Sequence, residues 1–156
     1  DRDHLTQLGG VHAIALTTSD HQRAAPEIAS AFGAELWVPR AERDRFDHPI
    51  ARALSDGEEI LPGLSCHELD GSKTPGELAL VYRESTLIAG DLIRSHRGGT
   101  LQLLPDPKLT DPSAARASVR RFIQAHRQID AVLPGDGWPI FFGAQRALLA
   151  MLGHFA

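Results

Sequence analysis

The chain has 156 residues, 42% of them apolar, and a formal net charge of −4, which predicts one globular domain over residues 1–156 with a sizeable core. The slight acidity gives no reason to expect nucleic acid, and no apolar run reaches the roughly 18 residues of a membrane span. Cys66 is the single cysteine, so an internal disulfide and a multi-cysteine zinc site are excluded, and we expect a buried thiol and a reducing, cytoplasmic location.

The N-terminal part of the chain alternates short apolar runs with one helical pattern. Glycines follow both predicted helices, and glycine is a common helix stop. In chain order, the predicted elements are a helix over 1–8, a strand over 11–16, a helix over 23–32 and a strand over 35–38. Strand, helix and strand in this order are typical of a βαβ unit with a parallel pair of strands.

The rest of the chain predicts a series of strands and two more helices. Glu84-Ser85 is predicted to form a tight hairpin turn, and Asp111 is predicted to cap a helix that has Pro112 at its first position. The last helix is expected to place Leu148, Leu149 and Leu152 on its apolar face. The predicted strands are 58–60, 65–69, 77–83, 86–89, 100–104 and 131–133, and the predicted helices are 112–127 and 142–152.

Acidic residues follow several of the short apolar strands. Asp20-His21, Asp91 and Asp136 all stand at such positions, and ligands of helix-flanked sheets bind at the carboxyl ends of strands. Together these side chains would make an oxygen-rich site suited to Mn, Fe, Zn or Mg. Each also has a simpler interpretation, as a helix cap, a surface residue or a turn residue. If the three carboxylates are buried together, they need a metal, a basic side chain or a shared proton.

Three further residues stand close to these acids in the sequence. Arg94 and His96 follow Asp91 and could meet an anionic substrate, although a solvated loop explains them equally well. Trp138 follows Asp136 and could line an apolar pocket, but core packing is the favoured interpretation of the aromatic segment 138–142.

Four segments of the chain resemble the metal-binding motifs of the metallo-β-lactamase superfamily. The family has a His-x-His-x-Asp-His loop, a Gly-His-Thr-Pro-Gly-like segment, a Gly-Asp pair after a strand, and a Pro-Gly-His-Gly-like turn. The matching segments here are 16–21 (LTTSDH), 72–76 (SKTPG), 90–91 (GD) and 133–137 (LPGDG). Their order and spacing agree over about residues 5–150.

The resemblance implies an α+β fold, the four-layer αββα sandwich of this superfamily, with its site along one edge of the two sheets. Family members usually have several strands before the first metal loop, whereas this sequence has almost none there. We therefore expect the first sheet to lack some N-terminal strands, which residues upstream of Asp1 would supply.

The resemblance also implies that one of two metal sites is lost. The three histidines expected for the first metal are replaced by Leu16, Thr18 and Lys73; leucine has no donor atom and a protonated lysine repels a cation. The positions of the second site are Asp20, His21, Asp91 and Asp136, where only the last differs from the family pattern.

Two functional hypotheses follow. In the favoured one, Lys73 pairs with Asp91 and His21 with Asp136, no metal is needed, and the protein is a binding module with a non-catalytic site. In the alternative, the chain is a hydrolase with one divalent Zn, Mn or Fe ion, in which Asp20 or Asp136 orients the water and Lys73 stabilises negative charge. Both are compatible with a small-molecule ligand and a homodimer.

Overall fold

The computed structural model describes residues 2–155. The helices are α1 (Arg2–Gln7), α2 (Ala25–Phe32), α3 (Pro112–Ala125) and α4 (Ala144–Leu152). The strands are β1 (Ala13–Ala15), β2 (Glu35–Pro39), β3 (Arg52–Leu54), β4 (Glu59–Leu61), β5 (Leu64–Leu69), β6 (Glu77–Tyr82), β7 (Thr86–Ala89), β8 (Ile93–Arg94), β9 (Gln102–Leu103) and β10 (Ala131–Pro134). No helix within residues 2–155 has both the length and the apolar character needed to cross a membrane.

The first sheet contains the predicted βαβ unit. Strand β1 pairs in parallel with β2, and β2 pairs in parallel with β3, so the order is β1-β2-β3. Helix α2 connects the first two strands and ends at Gly33, whose φ of 65° is the left-handed conformation that glycine tolerates best. The parallel pair predicted from the sequence is therefore confirmed.

The second sheet has the order β10-β7-β6-β5-β4, with β10 parallel to β7 and the other pairs antiparallel. The hairpin between β6 and β7 turns at Arg83 and Glu84, which have φ values of 48° and 59°. The prediction of Glu84-Ser85 was wrong by one residue, because Tyr82 pairs with Thr86 and leaves residues 83–85 as the loop.

Three apolar clusters fill the spaces between four layers. Alternate residues of β2 show the arrangement: Leu36 and Val38 pack with α2, whereas Trp37 packs against the second sheet. On the second sheet, Leu78 and Leu80 of β6 face the first sheet, and the intervening side chains of that strand face α3 and α4. Because strand side chains alternate between faces, each sheet contributes to two clusters. The predicted αββα fold class is confirmed, and Cys66 is fully buried between the sheets.

The C-terminal part confirms one expectation and corrects two. Asp111 Oδ1 accepts a hydrogen bond from Ala114 N at 2.9 Å, so it caps α3 as predicted. Leu148 is buried, but Leu149 is 54% exposed and does not belong to the apolar face. The core-packing interpretation of the aromatic segment was also wrong: Trp138 is 65% and Phe142 84% exposed. The segment contributes Ile140 to the core instead, which is buried and pairs with Val132 of β10.

Candidate active-site cluster

Four loops meet at the edge of the sandwich where β1, β7 and β10 end. The loop after β1 forms a 3-10 turn over Ser19–His21, Asp91 follows β7, Asp136 follows β10, and Lys73 precedes β6. The loops after β7 and β10 are close neighbours, since a Cβ on Gly135 would lie 3.0 Å from the Gly90 carbonyl oxygen. The predicted site residues are thus carried by adjacent loops, as expected for the carboxyl ends of strands.

The ammonium group of Lys73 lies between two carboxylates. Its Nζ is 2.7 Å from Asp20 Oδ2 and also contacts Asp91 Oδ2. His21 Nε2 lies 3.2 Å from the other Asp91 oxygen, Oδ1. The Asp91 side chain is 8% exposed and that of Lys73 is 30% exposed. We call these four residues (Asp20, His21, Lys73 and Asp91) the Lys73 cluster.

The pairing fixes the charges of the cluster. Burial alone would raise the pKa of Asp91, but the hydrogen bond from Lys73 and the charges of His21, Lys73 and Arg94 lower it overall. Burial likewise opposes the charge of Lys73, yet its hydrogen bonds to Asp20 and Asp91 raise the pKa of the amine above its usual value. At neutral pH the buried carboxylate therefore keeps a permanent cation as its partner.

A second ion pair joins β8 to the turn after β10. Arg94, whose side chain is 12% exposed, contacts Asp136 Oδ2, and His96 Nε2 lies 3.6 Å from the same oxygen. His21 was expected to pair with Asp136, but the structure places it against Asp91 instead. The reason is that the buried guanidinium of Arg94 already occupies Asp136.

Two buried glutamates hold the loops of the site together. Glu42 Oε2 accepts a hydrogen bond from Ser19 N at 2.6 Å, and its Oε1 accepts one from Gly76 N at 3.0 Å. This carboxylate therefore connects the loop after β1 to the segment that carries Lys73. Next to it, the hydroxyl oxygens of Thr18 and Thr74 lie 3.0 Å apart and are buried.

Glu77, the first residue of β6, is fully buried. Its Oε2 accepts a hydrogen bond from Ser72 Oγ at 2.6 Å, and its Oε1 accepts one from Leu92 N at 2.7 Å. Burial is the main reason why its pKa rises to about 7, although the hydrogen bonds oppose this change. Neither Glu42 nor Glu77 was predicted from the sequence. The available signal for Glu77 was a carboxylate at the start of a continuous apolar strand.

Glycines allow the loops to approach this closely. A Cβ on Gly90 would lie 2.7 Å from Glu77 Oε1. Gly137 has a φ of 111°, and a Cβ there would lie 1.9 Å from the Ser95 carbonyl oxygen, closer than any real contact. Since Asp136 precedes Gly137, this close approach of β8 and the β10 turn keeps Arg94 and Asp136 in contact.

The acidic side chains at the edge are paired with basic side chains. Among residues 2–155, no three His, Cys, Asp or Glu side chains are grouped so that they could hold a metal ion. The predicted metal ligands are Asp20, His21, Asp91 and Asp136. Lys73 pairs with Asp20 and Asp91, whereas Arg94 pairs with Asp136. Leu16 is buried in the cluster below α2, and the Thr18 hydroxyl is occupied by Thr74.

The structure also locates the other predicted catalytic and substrate residues. Lys73, Asp20 and Asp136 lie at the edge of the sheets, but Asp136 belongs to the Arg94 pair and not to the Lys73 cluster. The side chains of His96 and Trp138 are half or more exposed, whereas that of Arg94 is largely covered. The arrangement brings polar, partly exposed groups together around one buried carboxylate.

Solved structures with this fold are similar to the chain over most of its length. A metallo-beta-lactamase from Pontibacter korlensis is 16% identical, with a TM-score of 0.73 over 98% of this chain and 75% of that one. TTHA1623, solved in a di-iron-bound form, is 22% identical, with a TM-score of 0.71 over 93% and 79% of the two chains. A metallo beta lactamase from Hirschia baltica is 15% identical, with a TM-score of 0.69 over 92% and 67%.

Identities this low establish the shared fold alone. A comparison with curated protein sequences found no match. A family model described as the metallo-beta-lactamase superfamily, however, matches residues 1–153. That match covers nearly the whole chain and agrees with the order of layers, strands and loop motifs described above, so this chain belongs to the metallo-β-lactamase superfamily.

Proposed function

We propose that this chain is a non-catalytic, ligand-binding member of its superfamily, and that its Lys73 cluster works without a metal ion. The observation that carries the proposal is the position of Lys73 Nζ between Asp20 and Asp91. A divalent ion on these carboxylates would have to displace the ammonium group or remain close to it. Displacing the ammonium would cost Lys73 its contacts with both carboxylates, one of which is only 8% exposed. Keeping it would place two like charges close together beside that buried carboxylate.

The charge balance of the edge supports the same conclusion. Two permanent cations, Lys73 and Arg94, face the carboxylates of Asp20, Asp91 and Asp136. The buried Asp91 has a basic group on each of its oxygens. A cluster of carboxylates needs counter-cations, and here side chains of the protein supply them.

The exposed rim of the edge supports a role in binding. The side chains of Asp20, Asp136 and His96 are 41 to 50% exposed around the covered Asp91 and Arg94. Trp138 adds an exposed aromatic face in the same segment as Asp136. Polar groups beside an aromatic side chain suit a small polar molecule, with the fixed ion pairs setting the orientation of the binding groups.

The first test is the metal content of the purified protein, together with its melting temperature with and without EDTA. We expect substoichiometric Zn, Mn and Fe and an unchanged melting temperature, because a ligand that does not bind the folded state cannot stabilise it. Near-stoichiometric metal and a melting temperature lowered by EDTA would contradict the proposal. That result would instead support a hydrolase with one divalent ion.

A pair of variants at position 73 shows whether the ammonium group is what prevents metal binding. Lys73→His removes the cation and adds an imidazole beside Asp20, His21 and Asp91, so we expect Zn²⁺ to raise its melting temperature. Lys73→Gln is the matched control, since it removes the same charge without adding a strong zinc ligand. Zinc stabilisation of the unmodified protein equal to that of Lys73→His would overturn the proposal.

A further inference from the structure

A cleft of about 690 Å³ lies at the end of the second sheet opposite to the Lys73 cluster. Strand β6 begins at Glu77, next to the cluster, and ends next to Arg83, which lines the cleft. The remaining wall comes from the start of β5 and from the chain that follows α3. The volume lies within the range of about 300–1,000 Å³ that is usual for small-molecule sites. We call it the His126 cleft.

The floor of the His126 cleft is a preformed polar and aromatic surface. Ser65 Oγ and His67 Nε2 lie within hydrogen-bond distance, at 2.9 Å. The His67 ring packs edge-on against Phe122 and His126, with ring centroids 5.7 and 4.4 Å apart. Phe122 is buried and also contacts the His126 ring at 4.6 Å. These contacts hold both imidazoles in place without a ligand.

Both imidazoles are neutral at neutral pH. Burial lowers the pKa of His67, and the neighbouring His126 lowers it further. Burial also lowers the pKa of His126, although the charge of Glu84 opposes this effect. Neutral rings offer one donor and one acceptor nitrogen each and a flat face for packing.

Two arginines line the cleft and have guanidinium N–H groups available for an anion. Arg83 lies over the Tyr82 ring, 5.1 Å from its centroid, and within the described part of the chain Arg127 donates only its Nε–H, to the Gln124 carbonyl oxygen at 3.3 Å. Neither Arg83 nor Arg127 takes part in the ion pairs formed by residues 2–155. Two glutamates, Glu59 and Glu84, also line the cleft, and Glu59 Oε1 accepts a hydrogen bond from Gly63 N at 2.7 Å. A ligand held by both guanidiniums must compete with these carboxylates, and a dianion attracts the two arginines more strongly than a monoanion does.

We propose that the His126 cleft binds a small phosphate monoester, whose phosphate group is held by Arg83 and Arg127 and whose organic part packs on His67 and His126. A phosphate dianion offers enough acceptor oxygens for two guanidiniums from separate segments, and arginine binds phosphate with two parallel hydrogen bonds. The hydroxyl of Ser65 and the free imidazole nitrogens can bind the polar groups of the organic part. This site is independent of the Lys73 cluster and of its proposed function.

The test is a titration of the full chain with phenyl phosphate at pH 7.5, followed through the imidazole CH signals of His67 and His126 by NMR. We expect saturable shifts with a Kd on the order of 0.1–1 mM, as for a small ligand held by a few charged hydrogen bonds. Benzamide, a neutral molecule of similar size, should cause no comparable shifts. Equal binding of benzamide would overturn the assignment to an anion.

Arginine variants provide the second part of the test. The double variant Arg83→Gln/Arg127→Gln should raise the Kd at least about tenfold, because it removes both charged donors. Both side chains are exposed, so the variant should keep the melting temperature of the parent. Arg146→Gln removes an exposed arginine of α4 and should leave the Kd unchanged. Similar Kd values for the double variant and Arg146→Gln, or no saturable shifts in the parent, would overturn the proposal.

Discussion

Lys73→Met should lower the free energy of unfolding by about 2–3 kcal/mol at pH 7, because it leaves the carboxylate of Asp91 buried without its cation. This is below the full cost of breaking a fully buried pair, since Lys73 is 30% exposed and water can partly replace it. Urea unfolding, followed by the fluorescence of Trp37 and Trp138, measures the change. Lys108→Met is the matched control, because Lys108 is exposed and forms no ion pair within residues 2–155.

The double variant Lys73→Met/Asp91→Asn separates the ion pair from the packing of the lysine chain. Because the negative charge is also removed, the double variant should lose less stability than Lys73→Met and Asp91→Asn lose in total. The difference should be about 1–3 kcal/mol in the free energy of unfolding. Additive losses would mean that Lys73 and Asp91 do not interact in solution. The central observation behind the metal-independent site would then be lost.

Glu77→Gln should change how stability depends on pH. The folded state holds the Glu77 proton up to a pKa of about 7, whereas the unfolded chain releases it near the ordinary pKa of 4.5. Between these values the folded state binds more protons, so the contribution of Glu77 to stability falls as the pH rises from 4.5 through 7. From pH 4.5 to 7 the difference in free energy of unfolding between the parent and Glu77→Gln should change by about 3 kcal/mol. The variant should gain stability relative to the parent as the pH rises.

Urea unfolding of both proteins from pH 5 to 8.5 checks this expectation. His67 and His126 act in the opposite direction, because their lowered pKa values reduce stability as the pH falls below 6.5. They are present in both proteins, so their effect cancels in the difference. Glu27→Gln, at an exposed position of α2, should show the pH dependence of the parent. A constant difference between Glu77→Gln and the parent would show that Glu77 titrates normally.

The two buried glutamates connect the loops of the site edge to one another. Glu42 connects the β1 loop to the segment before β6, and Glu77 connects that segment to the loop after β7. Backbone N–H groups that would otherwise be buried without partners are satisfied by these carboxylates. The cluster therefore rests on a hydrogen-bonded frame that belongs to the fold.

The individual elements were predictable because their signals are local, whereas the layered fold and the position of the site were implied by the resemblance to the superfamily. Strand alternation, the parallel βαβ unit and the Asp111 cap depend on neighbouring residues. The order of four motifs also placed Asp20, Lys73 and Asp91 on one edge before any contact was known. The turn at Arg83-Glu84 and the exposure of Leu149 were missed. Local sequence patterns do not fix strand register or the orientation of a helix to within one residue.

Side-chain pairing was harder to predict. The contact between Lys73 and Asp91 was anticipated, but His21 was assigned to Asp136, since nothing in residue order indicates that Arg94 fills that position. Glu42, Glu77 and the pairing of His67 with His126 were also missed. Apart from Ser72, which is 5 residues from Glu77, their partners lie 15 to 59 residues away in the chain.

Periodicity and turn residues therefore predicted most helices and strands, whereas the superfamily and its layers were implied by the resemblance of four motifs to those of the family, which the family match bears out. The tertiary structure determined which acidic and basic side chains pair and which carboxylates are buried. Those outcomes depend on distances of a few ångströms between segments remote in sequence, and on the desolvation that their packing imposes.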